Sequence, residues 1–392
     1  MTLRLSHSQR ELYALCPRKY YYRYVQKMRP KEKGSALFFG IAFDEATEVL
    51  SGGGTYAEAV DKFNELWLRQ ETNFNVKFAK SDFTSKILEK QDWNKLEAAT
   101  ASLNHSKPKA EYEENGDVKR LVSELVKFRD NNYIRDLTDE EEKFLHLANF
   151  YCMLRKGHLM IESFQKDILP HVTKIHGSQV PINLKHPDGH SVTGYIDLLC
   201  EMEGYELPNG RKLKAGELVV ADVKSAGNFA WKKHDDIEKA PQLDTYLIAP
   251  EVQEKAKELS GVETNLVAYF VTSKIPQTES TSICKKCGAE KEGRHKTCNA
   301  EIDGERCHGE WKTESRFYCS SKIVVAERNL DEARMMLYDF DDTLAGIQAG
   351  VFPRNRNSCD AFGGVCDYIN VCGKCFKEPE KAIEEWKEKH GE

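Results

Sequence analysis

The spacing of apolar residues changes character part-way along the chain. Up to about residue 175 they recur with the period of a helix, which predicts helices near residues 7–26, 36–50, 56–73, 118–135 and 139–168. The stretch from about 74 to 117 is polar, and 104–108 and 111–116 read as loop or mobile lid. Beyond residue 175 the runs are β-rich. Residues 179–184 and 191–202 are joined by the turn signal Pro187-Asp188-Gly189, which predicts a hairpin. Residues 217–224 form a short apolar run ending in charge, as expected of a buried strand whose last residues emerge into a site. A helix is expected from Pro241 to Ala249, restarted by Pro250 and running to about Glu258. Strands at 266–272 and 317–325, an amphipathic helix at 330–349 and a charged helix or tail from Glu378 complete the pattern, with no internal repeat. The class is α/β, with a large helical N-terminal part.

Three short motifs inside this frame carry chemistry. Side chains alternate along a strand, so Asp222 and Lys224 point the same way while Val223 points into the core. Gln242 and Tyr246 are four apart on the helix that follows and share a face. Asp197 closes Gly194-Tyr195-Ile196-Asp197 within the second strand of the hairpin. The order strand, strand, helix lets these five polar residues converge. Asp197 and Asp222 offer hard oxygen ligands for Mg²⁺ or Mn²⁺, and Lys224 can orient a water or stabilise an anionic transition state. A lone Asp-x-Lys is usually a strand end with two solvated charges. Three motifs in order, each in its expected context, point instead to a metal-dependent phosphodiesterase.

These motifs resemble the RecB-like branch of the PD-(D/E)XK nuclease superfamily, which includes phage exonucleases and CRISPR-associated nucleases. The likeness reaches the N-terminus, where Ser8, Tyr13 and Cys16-Pro17-Arg18-Lys19-Tyr20 are similar to that family's Ser...Cys-Pro-x-x-Tyr helix. The resemblance implies a restriction-endonuclease-like mixed central sheet flanked by helices. It makes Asp197, Asp222 and the Val223 carbonyl metal ligands, Lys224 the catalytic lysine, and Gln242 and Tyr246 site or DNA-contact residues. Many relatives bind metal through a histidine a few positions after a helix-starting glycine; here Gly40-Ile41-Ala42-Phe43-Asp44 puts Asp44 there, with Glu45 or Glu48 as substitutes. The implied activity is DNA hydrolysis, most simply by an exonuclease on single-stranded ends, in recombination, repair, phage DNA metabolism or CRISPR adaptation. The rival reading is a non-catalytic DNA-binding or scaffold subunit that has kept the fold.

Twelve cysteines are more than a core needs, and most fall in two groups. Cys359, Cys366, Cys372 and Cys375 lie near the C-terminus and alone would suit a zinc knot. Relatives with an iron–sulfur cluster use one cysteine after the first helix and three near the end. That likeness assigns Cys16, Cys359, Cys366 and Cys372 to a [4Fe-4S] cluster and leaves Cys375 over. The second group, Cys284, Cys287, Cys298 and Cys307, opens with a Cys-x2-Cys knuckle in a polar segment that cannot bury a core unaided. It reads as a zinc-ribbon insertion at 280–312, with His295 and His308 as replacement ligands. Cys152, Cys200 and Cys319 sit among apolar residues and read as core.

Composition adds limits. A net charge of −6 does not advertise a nucleic-acid binder, but Arg18, Lys19 and Arg23 are interleaved with Tyr20 and neighbouring tyrosines, and Arg354 and Arg356 flank the cluster cysteines. These are the candidate DNA contacts, although the tyrosines suit a packed helix equally well. No signal-peptide region and no long apolar run is evident, and a thiol-rich chain of this kind is expected in a reducing cytoplasm, bacterial or phage-infected. The expected organisation is a helical region at 1–175, a catalytic core at 176–279, the ribbon at 280–312, a returning strand and helix at 313–350, a cluster segment at 351–376 and a tail at 377–392.

Overall fold

Strand β1 (Arg4–Ser6) runs directly into helix α1 (His7–Leu15), whose start is fixed by a capping box: Ser6 Oγ accepts from the Gln9 N–H at 3.3 Å and Gln9 Oε1 accepts from the Ser6 N–H at 2.8 Å. The computed structural model describes residues 4–31, 33–79, 82–100, 125, 138–185, 190–227, 237, 240–293, 295–302, 305–359, 366–374 and 378–390. Apart from Leu125, the helix expected at 118–135 lies outside them, as do 104–108, 111–116, the hairpin turn 187–189 and Cys375.

The helix expected over 7–26 is broken. Cys16 is extended, with φ −159° and ψ 101°, because the ring of Pro17 disfavours a helical residue before it. A short α2 (Pro17–Tyr20) and a π turn (Tyr21–Val25) follow. The N-terminal half then supplies a small parallel pair, β2 (Lys33–Gly34) with β3 (Val76–Lys77), and helices α3 (Ser35–Ser51) and α4 (Tyr56–Trp67). The polar stretch from 74 is not all loop. It carries a helix, Lys90–Thr100, that buries Trp93 and Leu96. The long helix Asp139–Ser163 opens with four acidic residues at the positive end of its dipole. Gly157 on that helix is required by close approach, since a Cβ there would lie 2.1 Å from the Phe63 ring.

The central sheet is mixed. β4 (Lys174–Lys185) and β5 (Ser191–Glu201) form the expected hairpin, β6 (Leu218–Ala226) is antiparallel to β5, and β7 (Leu266–Ser273) is parallel to β6. The insertion has its own strands, β8 (Gln277–Cys284), β9 (Glu290–Glu292), β10 (Glu301–Ile302), β11 (Glu305–Arg306) and β12 (Trp311–Tyr318), before β13 (Ser321–Glu327) rejoins the sheet beside β7. The run expected as one strand at 317–325 is therefore divided between two sheets, with buried Cys319 at the bend. Both halves are equally β-prone, so composition does not mark the change of direction. The insertion's stems stay together, the Ser273 N–H donating to the Ser320 carbonyl at 3.0 Å.

Helices cover both faces. One core joins α3, α4 and the Asp139–Ser163 helix to the sheet through Phe43, Phe63, Trp67, Phe150 and Phe270. Trp67 stacks on Phe150 with centroids 5.7 Å apart. The other core lies under α1, Pro241–Leu247, Pro250–Ser260 and Met336–Gln348, and includes Val220, Leu243, Leu247, Val271 and Phe340. Each such buried side chain contributes about 1.5–3 kcal/mol, so the two cores hold the sheet rigid between them. Among the described residues no helix is long and apolar enough to cross a membrane.

Candidate active site

The site begins as an interruption in the β5 ladder. β4 runs along one edge of β5 from Ser191 to Glu201, with pairs on either side of Asp197. On the other edge, Ser191 to Thr193 pair with β1 and Leu198 to Glu201 pair with β6. Between them, Gly194 to Asp197 have no ladder partner on that edge among the described residues. Continuing the register beyond Leu198 and Ala221 would set Asp197 directly opposite Asp222, where like charges repel. The backbone ladder stops there, and the Val223 N–H instead donates to Asp197 Oδ2 at 2.8 Å. Asp222 is 1 % exposed; its Oδ2 lies 2.6 Å from Lys224 Nζ, and its Oδ1 receives no hydrogen bond. A buried carboxylate so poorly supplied with donors is a place for a cation.

The electrostatics agree. Burial, reinforced by Asp222, pushes the Asp197 carboxyl up to about 8. Asp44 on α3 is raised by burial to about 6, and both Lys224 and Asp222 act on it, so α3 delivers it to the same notch. Burial opposes the charge on Lys224, but the carboxylates of Asp222 and Asp197 outweigh it and hold the ammonium well above its ordinary range. A stability profile follows. Unfolded aspartates release their protons near pH 4, whereas Asp44 and Asp197 keep theirs to about 6 and about 8, so over that window the native chain binds more protons. Protein without Mg²⁺ or Mn²⁺ is therefore expected to lose stability as pH rises from about 4 to about 8, and added Mg²⁺ to restore it at the alkaline end. Melting temperatures at pH 5.5 and 8, with and without Mg²⁺, test this. Equal temperatures without metal would mean that the carboxylates are already ionised.

The other motif residues are close by. Gln242 Nε2 donates to the Tyr246 hydroxyl at 2.7 Å, and a Cβ on Gly194 would lie 3.5 Å from the Tyr246 ring, which places the pair beside the β5 interruption. Burial, then Asp222, raises the Tyr246 phenol. Their helix is pinned by Arg328, which grips Asp244 through two hydrogen bonds of 2.8 and 2.7 Å. The substitutes for Asp44 are directed elsewhere: Glu45 lies 3.4 Å from Lys62, and Glu48 is exposed. Residues outside the motifs also reach the site. Glu11 on α1 feels Lys224, although its carboxyl is lowered chiefly by the hydrogen bond from His7. Gln179 on β4 approaches Asp197. Counting back from the hairpin turn would have put Gln179 opposite Asp197.

Both cysteine groups are gathered, in different ways. The sulfurs of Cys284, Cys287, Cys298 and Cys307 all lie within 4.8 Å of one another, with Cys284 to Cys307 and Cys287 to Cys298 at 3.6 Å. A zinc–thiolate tetrahedron has an edge of about 3.8 Å, from bonds of about 2.3 Å. Gly309 has no room for a side chain, because a Cβ would sit 2.6 Å from Cys284 Sγ. The histidine alternatives are not ligands here: His295 Nε2 meets the Glu292 carbonyl at 2.6 Å and His308 is exposed. Cys16, Cys359, Cys366 and Cys372 instead line a cavity of about 380 Å³ and are not drawn together as the ribbon set is.

The expected DNA contacts divide between a packed tyrosine, a set of cations on the cysteine cavity and an exposed arginine. Tyr20 is 5 % exposed and packs against Tyr13, Tyr24 and Phe352, so it has no free face for a base. Arg18, Lys19, Arg354 and Arg356 line the cysteine cavity. Arg354 Nη1 donates to the Cys372 carbonyl at 3.0 Å, and Arg18 Nε is buried there with no acceptor. Arg23 is exposed, its guanidinium 5.7 Å from the Tyr24 ring centre.

A mixed sheet flanked by helices, with two aspartates and a lysine meeting at a break in the ladder, is a restriction-endonuclease-like architecture. The family model of the PD-(D/E)XK nuclease superfamily matches residues 4–373, and the chain belongs to that superfamily. Membership implies metal-dependent nuclease activity on DNA. A comparison with curated proteins finds no match.

Proposed function

We propose that this chain is an exonuclease that hydrolyses single-stranded DNA ends at the Asp197, Asp222 and Lys224 notch. The observation that carries the reading is a buried Asp222, its Oδ1 without a donor and its Oδ2 2.6 Å from Lys224, facing a half-buried Asp197. Asp197, Asp222, Asp44 and the Val223 carbonyl would hold Mg²⁺ or Mn²⁺, which supplies an activated water and neutralises charge developing on the phosphate. Asp197 is aimed by the Val223 N–H, and Lys224, kept protonated by its carboxylate neighbours, donates toward the anionic oxygens. The Gln242–Tyr246 pair walls the site with polar groups. Tyr195 shares a strand face with Asp197 and is 61 % exposed, so it offers an unstacked base a ring close to the chemistry. The test is cleavage of end-labelled linear and circular single-stranded DNA with Mg²⁺ or Mn²⁺. Loss of label from linear DNA alone supports the reading; cut circles would make the protein an endonuclease, and DNA binding without cleavage a scaffold.

Cys16, Cys359, Cys366 and Cys372 are assigned to a [4Fe-4S] cluster. The cavity between them, the cations on its wall and the orphaned Arg18 Nε fit an anionic group with sulfur acceptors. Arg18, Lys19, Arg354 and Arg356 are then best used to balance thiolate charge rather than to hold phosphates.

The ribbon cysteines are assigned to zinc. Burial works against ionisation of Cys284, but the amides of Cys287 and Lys286 lower its thiol to about 6, close to the thiolate that zinc requires. Cys298→Ser is expected to drop zinc from about one to zero per chain while leaving the iron content in place. Metal analysis of both proteins checks this, and unchanged zinc would remove Cys298 from the ligand set.

A further inference from the structure

We infer that Gln179 is a positioning residue of the cleavage site, its side-chain amide steadying Asp197 from the opposite side to Val223. The inference rests on the nuclease reading above and adds a residue that none of the motifs contains.

The placement follows from the hairpin register. Ser178 pairs with Leu198 and Val180 with Ile196, so Gln179 falls opposite Asp197, and continuing the β5–β6 register past its last pair sets Asp197 opposite Asp222. The three side chains therefore form one row across β4, β5 and β6. Gln179 Nε2 lies 3.5 Å from Asp197 Oδ1, a long contact, while the Val223 N–H holds Oδ2 at 2.8 Å. Donors thus approach both carboxylate oxygens, and a carboxylate so held has little freedom to rotate. Its remaining lone pairs keep one orientation, which is what a metal ligand needs from its neighbours.

The backbone supplies the second, independent observation. Gln179 has φ +48° in the middle of a strand, one of three described residues other than glycine with positive φ. A side chain makes that conformation costly, and glycine would adopt it freely. Strain of this kind persists where the surrounding structure enforces it, and it collects at functional sites. Here it accompanies the turn of the amide toward Asp197 and lies just after the β4 irregularity between Ile175 and Gly177.

Gln179→Gly relieves the strain and removes the amide together, so stability and metal affinity are expected to move in opposite directions. The variant is expected to melt at or above the wild-type temperature, yet to bind Mn²⁺ about tenfold more weakly in calorimetric titration without DNA. Cleavage should need correspondingly more Mn²⁺ and recover at saturating metal, with KM for DNA unchanged. Gln179→Glu keeps the shape and loses the donor, and is expected to alter Mn²⁺ affinity by a similar factor in either direction. Mn²⁺ affinities within twofold of wild type in both variants would overturn the inference while leaving the nuclease reading intact. A wild-type protein that neither binds Mn²⁺ nor cuts DNA would overturn the nuclease reading, and this inference with it.

Discussion

Asp222→Asn is expected to lower cleavage by a factor of about 10³ or more while leaving DNA binding unchanged, and to weaken the pH dependence of metal-free stability. The two effects share one cause. Asp222 is buried, its Oδ1 has no donor, and continuing the register sets it opposite Asp197. A neutral amide of the same shape removes that repulsion from the folded state, and with it the charge that holds the cation. The pH dependence flattens because Asp222 is the second-largest cause of the raised Asp197 carboxyl. Lys224→Ala should cost similar activity and lower stability, since it strips the only ammonium beside Asp222 among the described residues. Single-turnover rates, fluorescence anisotropy with labelled DNA and thermal melts read the three quantities separately. An Asp222→Asn protein that cuts at the wild-type rate would show that the chemistry lies elsewhere.

The second large effect concerns the ends of the chain. Cys16→Ser is expected to empty the cysteine cavity, taking iron from about four per chain to near zero and lowering the melting temperature by about 10 °C or more. Cys16 and Cys359 are more than 340 residues apart in sequence, and a cross-link over such a loop is worth about 6 kcal/mol by chain-entropy arithmetic. Other contacts already tie these segments: the Tyr13 hydroxyl donates to the Val351 carbonyl at 2.6 Å, and Asn355 Nδ2 to the Leu15 carbonyl at 2.8 Å. The loss is therefore expected to destabilise the whole chain without unfolding it. Residual cleavage at low temperature would mark the cluster as a staple rather than a catalyst. Full iron and an unchanged melting temperature in the variant would remove Cys16 from the ligand set.

Much of the catalytic sheet was legible because strands report themselves by alternation and punctuation. The hairpin, the charged end of β6 and the Gln-x3-Tyr helix all stand where the pattern put them, and register alone then brings Asp197 to Asp222. The ribbon was legible in its cysteine spacing, although the histidines offered as alternatives had to be eliminated by geometry. What escaped depends on position in space. Consecutive tyrosines look alike in sequence, yet Tyr20 and Tyr22 are buried while their neighbours are not. The break at Cys16 is signalled by Pro17, inside a strong helical period that runs through it. Asp44, Glu45 and Glu48 share one helix, and only packing against the sheet distinguishes them. Gln179 carries no motif at all; only its place in the hairpin register, counted from the turn, points to it.

The insertion enters and leaves the sheet at two serines joined by a hydrogen bond, Ser273 and Ser320. Its stems thus occupy the footprint of an ordinary hairpin turn between β7 and β13. A module mounted this way can vary in length behind its stems, carrying its own three-stranded sheet and cysteine group, without altering the pairing of β7 with β13. Sequence change in the insertion and sequence change at the notch are therefore free to proceed at different rates over evolutionary time.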